Sequence, residues 1–309
     1  TPGVRTRVVR MALIPVTQAV QTPAIQTART PANRAAPTPV MAPRADAPVA
    51  IVTLTSDFGT RDTYVGAMKG ALLSIDASLS LIDLTHHIPA QDILGGSYAL
   101  RQGTDRFPPD TVHLAVVDPG VGSERRGIAI DDGRHRWVGP DNGLFSHVLR
   151  QRAARVHQLT NPDLQAKVVS PTFHGRDIFA PAAAHLATGL DVSAVGPVVD
   201  DAICLAQITS QRQGNELVGS VLHVDHFGNL ITSVTTQDVQ ALGAVAQIVI
   251  GRTTITGLSV TYTDADLGQP MGLIGSGGHL EVSVRGGHAA RELDVGVGAT
   301  VTITGTGPA

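Results

Sequence analysis

Asp118 and Arg125 stand seven residues apart in Val116-Val-Asp-Pro-Gly-Val-Gly-Ser-Glu-Arg-Arg126, a loop that follows the apolar run 112–117. Pro and two glycines force a turn there, because Pro fixes φ and Gly permits positive φ. A carboxylate at a strand end with a guanidinium returning toward it describes a charged pocket, and open α/β sheets place ligands at such ends. The same residue types recur after other runs: Asp57 and Asp62 after 50–55, His86, His87 and Asp92 after 81–84, His174 and Asp177 in Thr172-Phe-His-Gly-Arg-Asp177. Two chemistries are open. His and Asp suit a divalent metal, but no HxH, HExxH or DxD spacing is present and two arginines beside Asp118 oppose a dication. Alternatively, Asp57 accepts the hydroxyls of a ribose; with no P-loop and no dinucleotide glycine fingerprint, a nucleoside without phosphates fits better. Each residue also has a plainer reading: Asp57 and Asp62 as turn residue and helix cap, one of His86 and His87 as a buried structural histidine, Asp118 with Arg125 as a loop-pinning ion pair. Convergence of four such loops favours a site.

The elements that must position these residues follow from hydrophobic period. Val65, Met68, Leu72 and Ile75 fall on one helix face after Asp62, a second helix follows Asp92, and 81–84 and 111–117 are strand-like. Segments 128–130 and 136–138 form a hairpin pair, Pro140-Asp-Asn-Gly143 a turn, and 144–149 a short helix. Asp177 is positioned to cap the Ala-rich helix 178–187, which Gly189 ends. Alternating strands and helices predict an α/β domain over 49–205 with a mostly parallel sheet flanked by helices. Short β-type runs at 217–224, 230–234, 246–250, 280–284 and 300–304 predict a smaller all-β, barrel-like domain over 214–309. The linker is expected at about 206–213, in the neighbourhood of Gln211-Arg-Gln-Gly-Asn215.

Composition sets the limits. The 309 residues carry a formal net charge of −3 and a single cysteine, Cys204, so no internal disulfide forms and no general nucleic-acid binder is indicated. Residues 1–48 hold six Arg, one acid and eight of the 19 prolines, with no apolar period; they read as a flexible extension. That make-up is compatible with a transit peptide, but the apolar core of a secretory signal is missing. With no run of 18 apolar residues, neither a transmembrane helix nor a membrane partner is expected, and the expected setting is cytoplasmic.

Taken in order, the motifs resemble the S-adenosylmethionine hydroxide adenosyltransferases, relatives of the fluorinase and chlorinase. They are Thr55-Ser-Asp-Phe-Gly59, Asp62-x-Tyr-Val-Gly-x-Met-Lys-Gly70, Asp83-x-Thr-His86, Asp118-Pro-Gly-Val-Gly-x-x-Arg-Arg126 and Pro140-Asp-Asn-Gly143. Thr172-Phe-His-Gly-Arg-Asp-Ile-Phe-Ala-Pro181, Asp225-x-Phe-Gly-Asn-Leu-Ile-Thr232, Gly275-Ser276 and Ala289-Ala290 complete the set, which covers about residues 50–304. The resemblance implies displacement of L-methionine from C5′ of S-adenosyl-L-methionine by water, giving adenosine. It also implies a homotrimer whose active sites lie between one subunit's first domain and a neighbour's second, with no metal and no cofactor; adenosine held between subunits is expected to co-purify. By the same resemblance Asp118, Arg125 and His174 are the catalytic set. Asp57 holds the ribose, Asp62 is a further acidic position of the pocket and Asp225 binds the methionine ammonium. Phe227 and Asn229 are adenine-side residues, Ser276 contacts the methionine end, and the backbone of Ala289 meets the adenine.

Two positions separate hydrolase from halogenase. The halogenases lack the acid found here as Asp118 and carry a halide-binding Ser where this chain has Gly175; the fluorinase insertion before Pro140 is also missing. A halide-using adenosyl transferase is therefore the alternative, with a non-catalytic adenosine or S-adenosylmethionine binder as a third reading that has no use for the Asp-Arg-His set. Chemically, the leaving sulfonium becomes a neutral thioether and needs no acid, so the task is to supply hydroxide. Arg125 favours it by charge, His174 accepts or relays the proton, and Asp118 orients the arginine or the water. His288 stands where the family usually has Asn, which bears on the adenine side.

Overall fold

The structure, a computed structural model, describes residues 49–151 and 154–306; the expected extension over 1–48 lies outside the described residues. Chain order in the first half is β1 (Ile51–Ser56), α1 (Tyr64–Ile75), β2 (Ser80–Thr85), α2 (Ile93–Gly103), β3 (Val112–Val116), β4 (Gly127–Asp131), β5 (Arg136–Pro140), α3 (Ser146–Gln151), β6 (Arg155–Gln158) and α4 (Ala180–Ala187). The strands form one sheet in the order β2-β1-β3-β5-β4-β6. The first four run parallel, and β4 pairs antiparallel with β5 and β6. β3 is central and buried throughout, as expected of a parallel strand covered on both faces. Met68 and Leu72 of α1 pack with β1, β3 and α4 in one core. Leu100 of α2 and Trp137 and Phe145 belong to a second core on the other side.

The second half contains β7 (Gln211–Gln213), β8 (Glu216–Val224), β9 (Leu230–Thr235), α5 (Thr236–Leu242), β10 (Val245–Ile250), β11 (Thr253–Thr256), β12 (Pro270–Ile274), β13 (His279–Val284), α6 (Ala289–Glu292) and β14 (Thr300–Gly305). These strands pair antiparallel in the order β11-β10-β14-β8-β9-β13-β12, with β7 on β8. The sheet curls into a nearly closed barrel around Leu230, Val282, Ile248 and Ile303. The expected α/β and all-β halves are thus present.

Several expectations are corrected. The stretch 211–213, expected as linker, is β7. Asp62 does not cap α1, whose preceding residue is Thr63, itself without a side-chain cap bond. Asp177 caps nothing: it lies inside a π-helical segment, Gly175–Phe179, that precedes α4. The helix expected at 144–149 is displaced to Ser146–Gln151. Asp92 does cap α2, accepting from the Gly95 N–H at 2.8 Å. His86 is the structural histidine: Ser56 Oγ lies 2.7 Å from its Nδ1 and Asp83 Oδ1 3.0 Å from its Nε2, which ties the ends of β1 and β2 together.

Candidate active site

The end of β3 presents Asp118, and the loop after it returns Arg125. Arg125 donates from Nε to Asp118 Oδ1 at 3.0 Å and from Nη2 to Oδ2 at 2.6 Å, a bidentate pair. The same Nη2 lies 3.1 Å from His174 Nδ1. Arginine has no acceptor and keeps its protons, so Nδ1 is the acceptor and the neutral ring carries its hydrogen on Nε2. Asp118 and Arg125 expose only 4% and 9% of their side chains, so the pair acts in a poorly screened medium. Burial raises the Asp118 pKa, and Arg125 offsets only part of that rise. Burial and then the Arg125 cation lower that of His174, which is therefore neutral at neutral pH. The guanidinium also lies 5.2 Å over the ring of Phe179.

Local packing explains why these three side chains meet. Gly122 has φ +78°, and a Cβ there would fall 2.3 Å from the Pro171 carbonyl oxygen. Only glycine lets the Asp118 loop press against the loop leading to His174. Gly175 is confined too: a Cβ would stand 3.2 Å from Met68 Sδ and 3.4 Å from a Val116 methyl. Arg126 points away, to Asp141 at 2.7 Å and Asp201 at 2.6 Å, and fastens the Pro140 turn instead.

Asp118, His174 and Gly175 line a cavity of about 360 Å³ with Phe58, Tyr64, Phe173 and Arg176. The three rings meet pairwise with centroids 5.4 to 5.9 Å apart. Sequence reasoning missed this apolar wall. Its signal was scarcity, since the whole chain has six Phe, three Tyr and one Trp, and three of these gather beside the charged loop.

A second cavity, of about 800 Å³, takes Asp225, Phe227, Asn229 and Ser276 into its lining, together with Tyr98 and Gln102 of α2 and Glu281 of β13. It shares no lining residue with the first. Asp225 Oδ1 accepts from the backbone N–H groups of Phe227 and Asn229, and its Oδ2 accepts from the Asn229 amide at 2.9 Å. The loop between β8 and β9 is thereby fixed. Phe227 is 72% exposed, whereas Asn229 is buried. Gly228, at φ +87°, lies against His288, whose Nδ1 would be 2.1 Å from a Cβ. His288 caps α6, its ring accepting from the Arg291 N–H at 3.4 Å. Ala289 is fully buried behind this loop, and Ala290 donates to the Gly228 carbonyl.

Asp57 and Asp62 line neither cavity. Asp57 Oδ2 accepts from the Gln91 N–H at 2.8 Å, and Asp62 is exposed. The structure thus brings Asp118, Arg125 and His174 together, collects Asp225, Phe227, Asn229 and Ser276 elsewhere, and leaves Asp57 and Asp62 at the surface of the first half. Among the described residues no group of three or more His, Cys, Asp or Glu is arranged to hold a metal ion, and no helix is long and apolar enough to cross a membrane.

Comparison with known proteins bears on both halves. The chain is 37% identical over 258 residues to an (R)-S-adenosyl-L-methionine hydrolase of Salinispora arenicola, covering 82% of this chain and 97% of that one. A fluorinase of Actinoplanes is 27% identical over 290 residues, at the same 82% of this chain and 97% of its own. An uncharacterized conserved protein from Thermotoga maritima superposes with a TM-score of 0.77 at 32% identity, over 82% of this chain and 99% of that structure. Family models for the N-terminal and C-terminal domains of SAM hydroxide adenosyltransferase match residues 52–196 and 219–302, and the chain therefore belongs to the SAM hydroxide adenosyltransferase family.

Proposed function

We propose that this protein hydrolyses S-adenosyl-L-methionine to adenosine and L-methionine, without metal or cofactor, as a homotrimer with active sites at its subunit interfaces. The observation that carries the reaction is the buried Asp118–Arg125–His174 chain opening on a cavity, in a chain more similar to the (R)-S-adenosyl-L-methionine hydrolases than to the fluorinases. The trimeric reading is supported by the division of parts. The first cavity holds a group able to activate water but no loop suited to a base edge. The second holds such a loop, with Phe227 open to stacking, but no activated nucleophile. One subunit's first cavity facing a neighbour's second supplies both, and covers the exposed rings of Tyr64 and Phe227.

The chemistry follows from charge. Water is a weak nucleophile and hydroxide is scarce at neutral pH. Arg125 and the Nε2–H of neutral His174 are both donors, so together they stabilise hydroxide rather than remove a proton from water; the proton leaves to solvent. Asp118 holds the guanidinium in place through two bonds. The hydroxide oxygen then forms a bond to C5′, the C5′–S bond breaks, and its electron pair neutralises the sulfonium. Donors fixed in a dry site before the reaction contribute about 10²–10³ in rate each, and alignment contributes further. Gly175 bears on halide use, since the Cβ of a serine there would stand 3.2 Å from Met68 Sδ, which would have to give by a few tenths of an ångström.

The test is incubation with S-adenosyl-L-methionine, with and without chloride and with a chelator, products separated by HPLC. Adenosine and methionine in every condition are expected. Chloride-dependent 5′-chloro-5′-deoxyadenosine, or no turnover, would overturn the reading.

A further inference from the structure

A third cavity, of about 80 Å³, lies where α2, α3 and the segment 205–208 that precedes β7 come together. Ser97 and Arg101 of α2 line it, with His147 and Arg150 of α3, and no Asp or Glu takes part in the lining. Arg101 has no hydrogen bond or ion pair among the described residues. Arg150 donates from Nη2 to the Leu205 carbonyl and has no carboxylate partner among them. Ser97 is only 8% exposed, and its hydroxyl is likewise unbonded among the described residues. Both ring nitrogens of His147 are shut off from solvent without a partner. Asp105 and Asp132, the acids whose charge reaches His147, line a separate recess that His147 also borders, in company with Arg134.

Two cations in one cavity wall with no carboxylate between them set up a positive potential there. Burial, and then the Arg101 cation, hold the His147 pKa at about 4, so the ring is neutral at neutral pH and presents one donor and one acceptor. Covering such groups without a partner is unfavourable, and a bound ligand that pairs with them relieves the cost. The ligand must be an anion, to answer two arginines. It must be small, since a single water takes about 30 Å³. It must offer acceptors to the guanidiniums and both an acceptor and a donor to His147. Guanidinium forks match the geometry of an oxyanion, and hydrogen phosphate carries acceptor oxygens and one O–H. We infer that this cavity binds inorganic phosphate or the phosphate group of a small ester, held by Arg101 and Arg150, with His147 and Ser97 completing its hydrogen bonds. The bound group joins α2 and α3 of the first half to the segment that leads into the second. The site is separate from the proposed chemistry: it shares no lining residue with the first cavity and only Tyr98 with the second.

The test is calorimetric titration of the full-length protein with inorganic phosphate in low-salt buffer, with sodium chloride and glycerol 3-phosphate as parallel titrants. Wild type is expected to bind phosphate and to bind chloride far more weakly. Arg101→Gln and Arg150→Gln should each weaken phosphate at least about tenfold, the size of one charged hydrogen bond. Arg101→Lys, which keeps the charge but loses the fork, should give a smaller loss. Saturating phosphate should raise the thermal midpoint of wild type and leave that of the doubly substituted Arg101→Gln, Arg150→Gln protein where it was. A midpoint equal to wild type without phosphate shows that the double variant still folds. In histidine-selective NMR, phosphate should shift the His147 signal. Glycerol 3-phosphate binding as tightly as phosphate would mark a phosphate ester as the ligand, and binding at least about tenfold weaker would mark the free ion, whose O–H the ester lacks. No phosphate binding by wild type, equal binding by the double variant, or chloride binding as tightly as phosphate would overturn the inference.

Discussion

The two cavities are built on opposite plans. In the first, side chains hold one another: Asp118 grips Arg125, Arg125 reaches His174, and all three are held between the end of β3 and the π-helical segment. In the second, the backbone is the object being held, with Asp225 folding the 225–229 loop and His288 filling the space beside Gly228. The first arrangement fixes charge, the second fixes shape. A reaction that neutralises a sulfonium with hydroxide needs the former at C5′, and recognition of a flat, neutral base needs the latter. Substitutions in the first region should therefore act on kcat and those in the second on binding.

Arg125→Ala gives the largest effect. It removes the cation and one of the two donors, and kcat should fall at least about 10²–10³-fold with little change in the Kd for adenosine. It also strands a buried carboxylate, at a cost of about 3–5 kcal/mol where Asp118 stays ionised, so the thermal midpoint should drop as well. Asn229→Ala is the counterpart: adenosine Kd should rise while single-turnover rate at saturation stays within a few fold. If Asn229→Ala lowered that rate as much as Arg125→Ala, the separation of roles would fail.

pH sharpens the same contrast. The pKa of His174 is lowered by burial and by Arg125, below its ordinary value of about 6.5. Above that depressed pKa the ring is neutral and accepts from Arg125; below it, protonation turns Nδ1 into a donor facing another donor. The rate should therefore fall about tenfold per pH unit on an acid limb whose midpoint lies below 6.5. Stability follows the same sign, because the unfolded chain takes up the proton first and the folded state loses ground as pH falls. His113 and His147, buried neutral with pKa values of about 3 and about 4, add to that loss between pH 6.5 and those values. A kcat midpoint above 6.5 would mean that the His174–Arg125 contact is absent in the working enzyme.

In the second region, Gly228→Ala must strain a φ of +87° and collide with His288. Adenosine Kd should rise about tenfold, with kcat retained at saturation. Gly228→Ala combined with His288→Ala, which removes the collision but not the strain, should recover part of the affinity; no recovery would show that His288 does not shape the loop.

How much of this was legible without coordinates depends on what kind of signal each feature leaves. β1 and β3 were readable because buried parallel strands are continuous apolar runs, and the Asp118 loop was readable because Pro and Gly punctuate it. β6, with Arg-Val-His-Gln on a sheet edge, and β7, with Gln-Arg-Gln exposed throughout, carry no apolar pattern, so one was missed and the other taken as linker. The π-helical segment leaves no period of its own, which is why Asp177 looked like a cap. The residue types of the proposed catalytic set were visible, but the Arg125–His174 contact depends on Gly122 against Pro171, a backbone approach no periodicity encodes. Glu281 was hidden for a different reason. In His-Leu-Glu-Val-Ser-Val the polar residues alternate as if one face met water, yet all six are buried because the outer face of β13 lines the cavity.

The smallest effect belongs to Asp57, the residue whose proposed role is least fixed by either cavity. Its Oδ2 is engaged by the Gln91 N–H, on a residue held at φ +67°, a conformation that costs a non-glycine about 1–3 kcal/mol. That bond secures the loop before α2 and leaves Oδ1 for a ligand. Asp57→Asn keeps an acceptor in place but removes the charge that strengthens a hydroxyl's hydrogen bond. The Kd for adenosine should rise only about three- to tenfold, and the Kd for 2′,3′-dideoxyadenosine should not change, because that compound lacks the 2′ and 3′ hydroxyls that the carboxylate would hold. Asp57→Ala should weaken adenosine further and also lower the thermal midpoint, since Gln91 loses its acceptor. Equal losses for adenosine and the dideoxy compound would assign Asp57 to the loop alone and leave ribose recognition to another carboxylate, with Asp62 the next to substitute.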